Sequence, residues 1–325
     1  MRIIKLLGKI LLLGAGLLVI LLFISTLYHN FQLRSEADEY PPPGKVVKVN
    51  NKDMHVYTAG KGDLTLVFMA GSGTSSPTID FKPLWMRMTD EYRIAIVEKA
   101  GYGWSETSDS PRDIDTMLTE TKKALELSGE SGPYVLLPHS MSGLEAIFWA
   151  QKHPEEVRAI IGLDMAIPDY YLDPSFPMPS KGQLYLMNFI ARTGITRFMG
   201  EETMQQYLPL LKSEDLSTED KERLIATFYK STLTKNMISE GDYVMENAQK
   251  VKENGIPVNT PMYLFIAKES NEKIMPSWQE KATQYVSEVK VGKFKAVDSG
   301  HYLHYERANL IAAETKNFLN EIVSN

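Results

Sequence analysis

The sequence of 325 residues contains no cysteine. Disulfides, thiol nucleophiles and thiolate metal sites are therefore excluded together. The redox compartment stays open, because proteins without disulfides occur on either side of a membrane. A basic excess is also missing, since 35 Lys and Arg stand against 41 Asp and Glu, which gives no reason to expect a nucleic-acid partner. The length suits one large α/β domain with an insertion, or two small domains.

Charge is absent from Ile10 to Tyr28. At 1.5 Å per residue, a helix of this length spans about 28 Å, enough to cross the hydrocarbon core of a bilayer. Basic residues precede the run and acidic residues follow it: Arg2, Lys5 and Lys9, then Glu36, Asp38 and Glu39. This charge pattern predicts an uncleaved single-pass anchor over residues 1–30, with a cytoplasmic N-terminus and an extracytoplasmic domain after it. A cleaved signal peptide is the alternative, although the run is long for one and has no clear cleavage site.

A spacer is predicted between this anchor and the folded domain. Residues 31–45 are polar and acidic, and they end in Pro41-Pro42-Pro43-Gly44. Consecutive prolines favour an extended polyproline conformation, which would hold the domain away from the bilayer.

A serine follows a short apolar run in the middle of the chain. Residues 134–138 read as a buried strand, Ser140 follows after one residue, and apolar residues then recur at helical spacing from Leu144. Strand, corner and helix in this order are typical of a nucleophile elbow, where a strained backbone requires small neighbours. An ordinary turn with Ser140 as a helix N-cap would give the same pattern.

This stretch resembles the elbow of the α/β-hydrolase family, usually G-x-S-x-G, although Pro138 and Ser142 stand at the glycine positions. The resemblance covers roughly residues 46–322. It implies an α/β fold with a mostly parallel eight-stranded sheet flanked by helices. The core would comprise residues 46–168 and 261–325, with a helical cap inserted over 169–260.

The resemblance also implies an oxyanion hole. The N–H groups of Ser72 and Met141 would hold the developing negative charge. Ser72 lies in a glycine-rich segment after a strand, where Ala70 replaces the family's usual histidine.

A serine hydroxyl needs a general base. His301 follows Gly300 after an apolar strand, which resembles the family's terminal Gly-His loop and makes it the expected base. The alternative is His304, with His301 packed against the last helix.

The third member of a triad would be a carboxylate. The family's usual position, after the seventh strand, falls on Ser270. Asp164 ends an earlier apolar strand, and the segment around it resembles that of haloalkane dehalogenases, which place their acid there. We therefore expect Asp164 to serve, with Glu269 and Glu272 as alternatives.

Together these features predict a serine hydrolase acting on carboxylic esters with an apolar acyl or alkyl part. Its partners would be a small ester or lipid-like substrate and the membrane, and no metal or organic cofactor is implied. Dehalogenase and epoxide hydrolase activities are disfavoured, because such relatives carry Asp at the position of Ser140.

Two other functions stay open. An aminopeptidase would need a carboxylate cluster, for which the insertion offers Glu201, Glu202 and Glu219. The departures at Ala70, Pro138 and Ser270 would also suit an inactive binding protein on the same fold.

Overall fold

The computed structural model describes residues 2–324, and its centre is a single eight-stranded sheet. The strands are β1 (Lys45–Val49), β2 (Lys52–Ala59), β3 (Thr65–Met69), β4 (Arg93–Val97), β5 (Tyr134–Pro138), β6 (Val157–Leu163), β7 (Met262–Ala267) and β8 (Gly292–Val297). Their order is β1-β2-β4-β3-β5-β6-β7-β8. The pairs β1–β2 and β2–β4 are antiparallel and the others are parallel, so the predicted mostly parallel eight-stranded sheet is confirmed.

Helices precede the sheet and connect its strands. They are α1 (Arg2–Glu39), α2 (Pro77–Asp80), α3 (Lys82–Trp85), α4 (Ile114–Ser128), α5 (Ser142–Lys152), α6 (Pro168–Tyr171), α7 (Lys181–Arg192), α8 (Glu201–Tyr207), α9 (Thr218–Ser231), α10 (Lys235–Glu253), α11 (Ser270–Lys273), α12 (Trp278–Ser287), α13 (Leu303–Glu306) and α14 (Ala308–Ser324). Three 3₁₀ turns lie between them at Pro154–Glu156, Ile195–Phe198 and Pro209–Lys212.

Both faces of the sheet are buried, which explains the near-continuous apolar runs of the central strands. Successive side chains of a strand point to opposite faces. Val67 and Leu136 accordingly pack with α4, α5 and α12, whereas Phe68 and Leu137 pack with α3 and α14. The two apolar layers fix the register of the strands, and with it the positions of the loops at their carboxyl ends.

The helices α6 to α10 form the insertion between β6 and β7, and they are attached to the core by polar contacts. Lys99, in the loop after β4, donates to Glu240 of α10 at 2.9 Å. Ser231 of α9 donates to the carbonyl of Gly103 at 2.7 Å. Because the loop after β4 lies at the carboxyl edge of the sheet, these contacts place the insertion at that edge.

The predicted spacer begins as a helix, which the sequence did not indicate, whereas the prolines at its end lie outside any helix. Helix α1 continues to Glu39, and only residues 40–44 separate it from β1. The reason is a tertiary contact: Glu36 accepts two hydrogen bonds from Arg197 of the insertion, at 2.6 and 2.7 Å. A favourable ion pair on one face allows this polar segment to continue the helix.

Candidate active site

Ser140 occupies a sharp corner between β5 and α5. Its φ is +52°, in the left-handed region that costs a non-glycine residue energy. The corner is held from both sides, because the Ser140 carbonyl accepts from Gly143 N at 3.0 Å and from Ala166 N at 2.8 Å. The N-cap of α5 is Met141 and not Ser140, and within the described residues the Ser140 hydroxyl makes no hydrogen bond. This is the backbone geometry expected of an elbow.

The departures from the usual elbow sequence are accommodated by specific contacts. The hydroxyl of Ser142, at a glycine position of the family's pattern, lies within hydrogen-bond distance of two acceptors, the carbonyl oxygens of Met69 and His139, at 2.7 and 2.8 Å. Pro138 is the last residue of β5, and the next residue, His139, still donates its N–H to the carbonyl of Met69 at 3.0 Å, so the missing N–H of Pro138 does not break the pairing with β3. Both substitutions are therefore compatible with the corner.

Gly71 brings the neighbouring loop against the serine. A Cβ at this position would lie 2.8 Å from the Cβ of Ser140 and 3.0 Å from Nδ1 of His139. Such a distance is shorter than real Cβ contacts allow, so only glycine permits this approach. The following residue, Ser72, is exposed beside the elbow.

The N–H groups of Ser72 and Met141 are both available. Among residues 2–324 neither amide finds an acceptor in the protein. Met141 N–H lies at the start of α5, where the first amides of a helix lack intrahelical partners. The pair assigned by resemblance is thus free to bind an oxyanion.

Asp164 is buried and fully engaged, with 1% of its surface exposed. Its Oδ1 accepts from Ala267 N at 2.9 Å and from Trp278 Nε1 at 2.8 Å. Its Oδ2 accepts from Ser270 Oγ at 2.5 Å and contacts His301 Nδ1 at 2.6 Å. The backbone φ of Asp164 is +47°, so Asp164 is a second residue in the left-handed region at the carboxyl edge of the sheet.

His301 is therefore held in one tautomer. Because an ionised carboxylate only accepts, the contact with Asp164 places the proton on Nδ1 and leaves Nε2 as the free base. The carbonyl of His301 also accepts from His139 Nε2 at 3.1 Å. Since His139 precedes Ser140, this bond holds the His301 loop beside the elbow.

Aromatic packing fixes the acid from the other side. Trp278, which donates to Asp164, stacks on Tyr170 with ring centroids 3.9 Å apart. Tyr170 donates its hydroxyl to the carbonyl of Trp278 at 2.6 Å. No sequence motif pointed to Trp278 or Tyr170, because they reach Asp164 from α12 and α6.

The alternative residues lie in other environments. His304 is fully buried and donates Nε2–H to Asp80 at 2.8 Å. Glu269 pairs with Lys273, and Glu272 is exposed. Neither glutamate contacts His301 among the described residues, whereas Asp164 does.

A buried histidine group beneath the site was not anticipated. The ring of His139 lies 4.6 Å from those of both His301 and His304. Burial, and then the proximity of these two histidines, lowers the pKa of His139 well below its usual 6.5. His139 therefore stays neutral at physiological pH and acts as a hydrogen-bond donor to the loop.

A cavity of about 410 Å³ adjoins the site. It is bounded on the core side by Gly73 and Tyr302, the chain neighbours of Ser72 and His301. Its insertion side is mainly apolar: Met187, Ile190, Leu208, Leu210, Leu224 and Phe228. Its acidic lining residue is Asp80, which is already paired with His304.

The glutamates considered for an aminopeptidase are outside this cavity. Glu201 and Glu202 are exposed at the start of α8, and Glu219 is exposed and pairs with Arg223. The described residues thus show no carboxylate cluster in the cavity that could bind a free amino group.

One group among the described residues has metal-ligand spacing. The side chains of His153, Glu155 and Glu156 bring ligand atoms within 4.8 Å of one another. They line a larger cavity of about 840 Å³ at the amino end of β5, together with Tyr134. This is the edge of the sheet opposite Asp164, so these residues take no part in the candidate site.

Comparisons with known structures identify the fold. The enol-lactonase of Burkholderia xenovorans has 14% identity and a TM-score of 0.61, covering 85% of this chain and 100% of its own. An epoxide hydrolase of Vigna radiata has 17% identity and a TM-score of 0.62, covering 85% of this chain and 97% of its own. The chain therefore has the α/β-hydrolase fold.

A closer relationship is found in sequence. Uncharacterized protein YbdG of Bacillus subtilis is 37% identical over 261 residues, covering 80% of this chain and 79% of that protein. No family model matches the chain. The chain has the α/β-hydrolase fold, and it belongs to the same family as YbdG.

Proposed function

We propose that the protein is a membrane-anchored serine hydrolase that cleaves carboxylic esters with an apolar acyl or alkyl part. The observation that carries this proposal is the hydrogen bond between His301 Nδ1 and the buried Asp164, beside a serine at an elbow. Ser140 is the nucleophile, His301 the base and Asp164 the acid that orients it. A binding protein would not need these three groups in this arrangement.

The proposed reaction uses these groups in sequence. His301 Nε2 takes the proton of Ser140 as Oγ attacks the ester carbonyl, and the N–H groups of Ser72 and Met141 stabilise the oxyanion. The tetrahedral intermediate expels the alcohol, which takes the proton from His301. Water then attacks the acyl-enzyme, passes a proton to His301, and releases the carboxylic acid as Ser140 regains its proton.

The hydrogen bond from Ser140 to His301 is not formed among the described residues. Such bonds are often long before substrate binds, and they tighten in the reactive complex. Ser140 is partly exposed and its hydroxyl has no hydrogen-bond partner among the described residues, so no existing hydrogen bond opposes rotation of its side chain toward His301.

The cavity next to the site supports the choice of substrate. Its insertion side offers methyl, thioether and ring carbons and no unpaired charge, which suits an apolar acyl or alkyl group. We assign residues 169–260 to a cap over the core segments 46–168 and 261–325. In this arrangement the cap supplies the substrate pocket and the core supplies the chemistry.

Helix α1 supports the anchor. It is long and apolar enough to cross a membrane, a test that a signal sequence also passes. Leu11, Leu12 and Leu13 expose 73, 74 and 75% of their surface, which favours a lipid environment. Ser25 and Glu36 of the same helix bind the insertion, so cleavage of α1 would remove part of the folded body. The charge pattern favours an N-terminus in the cytoplasm and a catalytic domain outside.

The test is labelling of the full-length protein in membranes with a fluorophosphonate, a reagent that traps activated serines. Wild type and the control Ser131→Ala, an exposed serine distant from the site, should label equally. Ser140→Ala should abolish labelling. Absence of labelling in folded wild type would contradict the proposed hydrolase and favour the inactive binding protein. Carbonate-resistant membrane retention, measured separately, tests the anchor.

A further inference from the structure

Helix α7 of the insertion exposes most of its apolar side chains. In this fully described helix of twelve residues, Ala191 is the only buried one. We define the α7 apolar face as Tyr185, Leu186, Met187 and Phe189, which expose 58, 59, 49 and 53% of their surface. Such a concentration of exposed apolar side chains on one short helix is unusual on a protein facing water and indicates a contact surface.

The chain after α7 is held against α1. A Cβ on Gly194 would lie 2.4 Å from the Cβ of His29, so the two backbones approach closely at this glycine. Ser25 donates its hydroxyl to the carbonyl of Thr193 at 2.7 Å. The Phe198 ring, 69% exposed, lies 6.2 Å from that of Tyr28. Exposed apolar surface thus continues from the candidate membrane span to the insertion.

Arg197 makes this attachment rigid. Its two terminal nitrogens bind both oxygens of Glu36 at 2.6 and 2.7 Å, and its Nε donates to His29 Nδ1 at 2.9 Å. Its guanidinium also lies 4.1 Å from the ring centroid of Tyr229. Because the planar guanidinium of Arg197 has partners on its edges and on its face, it has one favourable orientation. These contacts hold the insertion in one position relative to α1.

The depth of this contact follows from helix geometry. Ser25 lies three residues before Tyr28, the end of the uncharged run, which corresponds to about 5 Å along the axis. Apolar faces of helices lying at a bilayer surface are buried about 5–10 Å into the boundary between headgroups and acyl chains. The C-terminal end of α7, next to Thr193, is therefore at the level where such helices lie.

The cavity opens on the same face. Met187 and Tyr207 both line the cavity, and they are 49 and 57% exposed. An apolar chain lying beside α7 would therefore meet the cavity without first entering water.

We propose that the α7 apolar face lies in the outer leaflet of the membrane crossed by α1, and that the cavity takes the acyl chain of a lipid ester directly from the bilayer. The inference rests on the proposed anchor and hydrolase. The occupant of the face is lipid, because the face continues the lipid-exposed surface of α1 and the chain between them is fixed.

The first experiment uses the absence of cysteine, which makes an introduced cysteine the only one in the chain. Leu186→Cys on the face and Ser131→Cys at the amino edge of the sheet are each labelled with a nitroxide. The full chain is placed in phosphatidylcholine–phosphatidylglycerol vesicles. Accessibility is measured to oxygen, which concentrates in lipid, and to a water-soluble nickel complex.

The Leu186 label should be relaxed by oxygen and protected from nickel, and the Ser131 label should show the opposite. Equal nickel access at both positions would overturn the proposal. Protection of the Leu186 label from both reagents would indicate a second copy of the chain on this face and would also overturn it.

The second experiment measures substrate delivery. A double variant, Leu186→Gln with Phe189→Gln, changes two residues of the face that do not line the cavity, and Leu127→Gln on α4 is the control, 44% exposed in wild type. Cleavage of a long-chain ester embedded in vesicles should fall about tenfold or more in the double variant, because polar side chains weaken contact with lipid. Cleavage of a water-soluble short-chain ester should be unchanged.

An equal loss on both esters, or a loss on neither, would overturn the proposal. If wild type cleaves neither ester and takes no fluorophosphonate, the hydrolase proposal fails. The accessibility of the Leu186 label still decides whether the face lies in lipid.

Discussion

Replacing Asp164 by asparagine is the sharpest test of the site. The substitution keeps the size of a side chain that is 1% exposed, so no cavity is created. It changes the hydrogen-bonding character of one oxygen into that of an NH₂ group. The result depends on where that group is placed.

The surrounding donors decide its orientation. The partners of Oδ1, Trp278 Nε1–H and Ala267 N–H, can only donate, so they require the amide oxygen. The NH₂ must then face Ser270 and His301 on the Oδ2 side. The Ser270 hydroxyl can rotate to accept, and His301 can accept at Nδ1 only by moving its proton to Nε2.

This tautomer cannot deprotonate Ser140. In a serine protease the corresponding substitution leaves the geometry intact and lowers turnover about 10⁴-fold through the wrong tautomer. We expect a loss of about this size here, equivalent to about 5.5 kcal/mol of transition-state stabilisation. The fold should be little affected, since every buried polar atom retains a partner.

The assay compares initial rates on a chromogenic ester and fluorophosphonate labelling rates for wild type, Asp164→Asn, Glu269→Gln and Glu272→Gln. The two glutamate variants should stay close to wild type, because one glutamate pairs with Lys273 and the other is exposed. A rate for Asp164→Asn within about tenfold of wild type would refute the tautomer argument. A large loss in a glutamate variant would instead assign the role of the acid to the segment after β7, where both glutamates lie.

Three further predictions concern the loop at Gly71, the contact of α1 with the insertion through Glu36, and the buried Glu145. Gly71→Ala should slow fluorophosphonate labelling at least about 100-fold, the usual cost of losing an oxyanion donor, because its Cβ would displace the loop from Ser140; labelling near the wild-type rate would contradict this. Glu36→Gln should lower the free energy of unfolding in detergent by about 2 kcal/mol and expose residues 31–45 to proteolysis, because Arg197 loses a charged partner; an unchanged proteolysis pattern would contradict the attachment. Burial raises the pKa of Glu145 above its usual 4.5, so the folded state binds its proton more tightly than the unfolded state. The stability of wild type relative to Glu145→Gln should therefore fall as pH rises above about 4.5, measured by thermal unfolding, and parallel pH profiles would contradict this.

The sheet was predictable because each strand is marked by the residues within it and next to it in the sequence. Apolar runs such as those of β3 and β5 are buried on both faces, and small residues follow them at the corner. A strand that ends in a serine and leads into a helical period already predicts the elbow. The sequence cannot show, however, that Met69 and His139 supply acceptors that allow Ser142 at a glycine position.

Long-range partners account for what was not predictable. The polar composition of residues 31–39 favoured a spacer, and Arg197, more than 150 residues away, makes the segment helical. Trp278 carries no local sign that it binds a carboxylate. In both cases the decisive interaction joins parts of the chain whose proximity only the folded sheet and insertion create.

The aspartate at position 164 explains why position 270 carries a serine and not an acid. Strands β6 and β7 are parallel neighbours, with Leu163 paired to Phe265, so their carboxyl ends open onto the same space beside His301. A carboxylate from either end could contact the imidazole, but two would lie within hydrogen-bond distance, where like charges force one of them to stay protonated. Ser270 resolves this conflict, because its hydroxyl donates to Asp164 at 2.5 Å and adds no charge. The residue that looked like a missing acid is thus a hydrogen-bond donor to the acid on the adjacent strand.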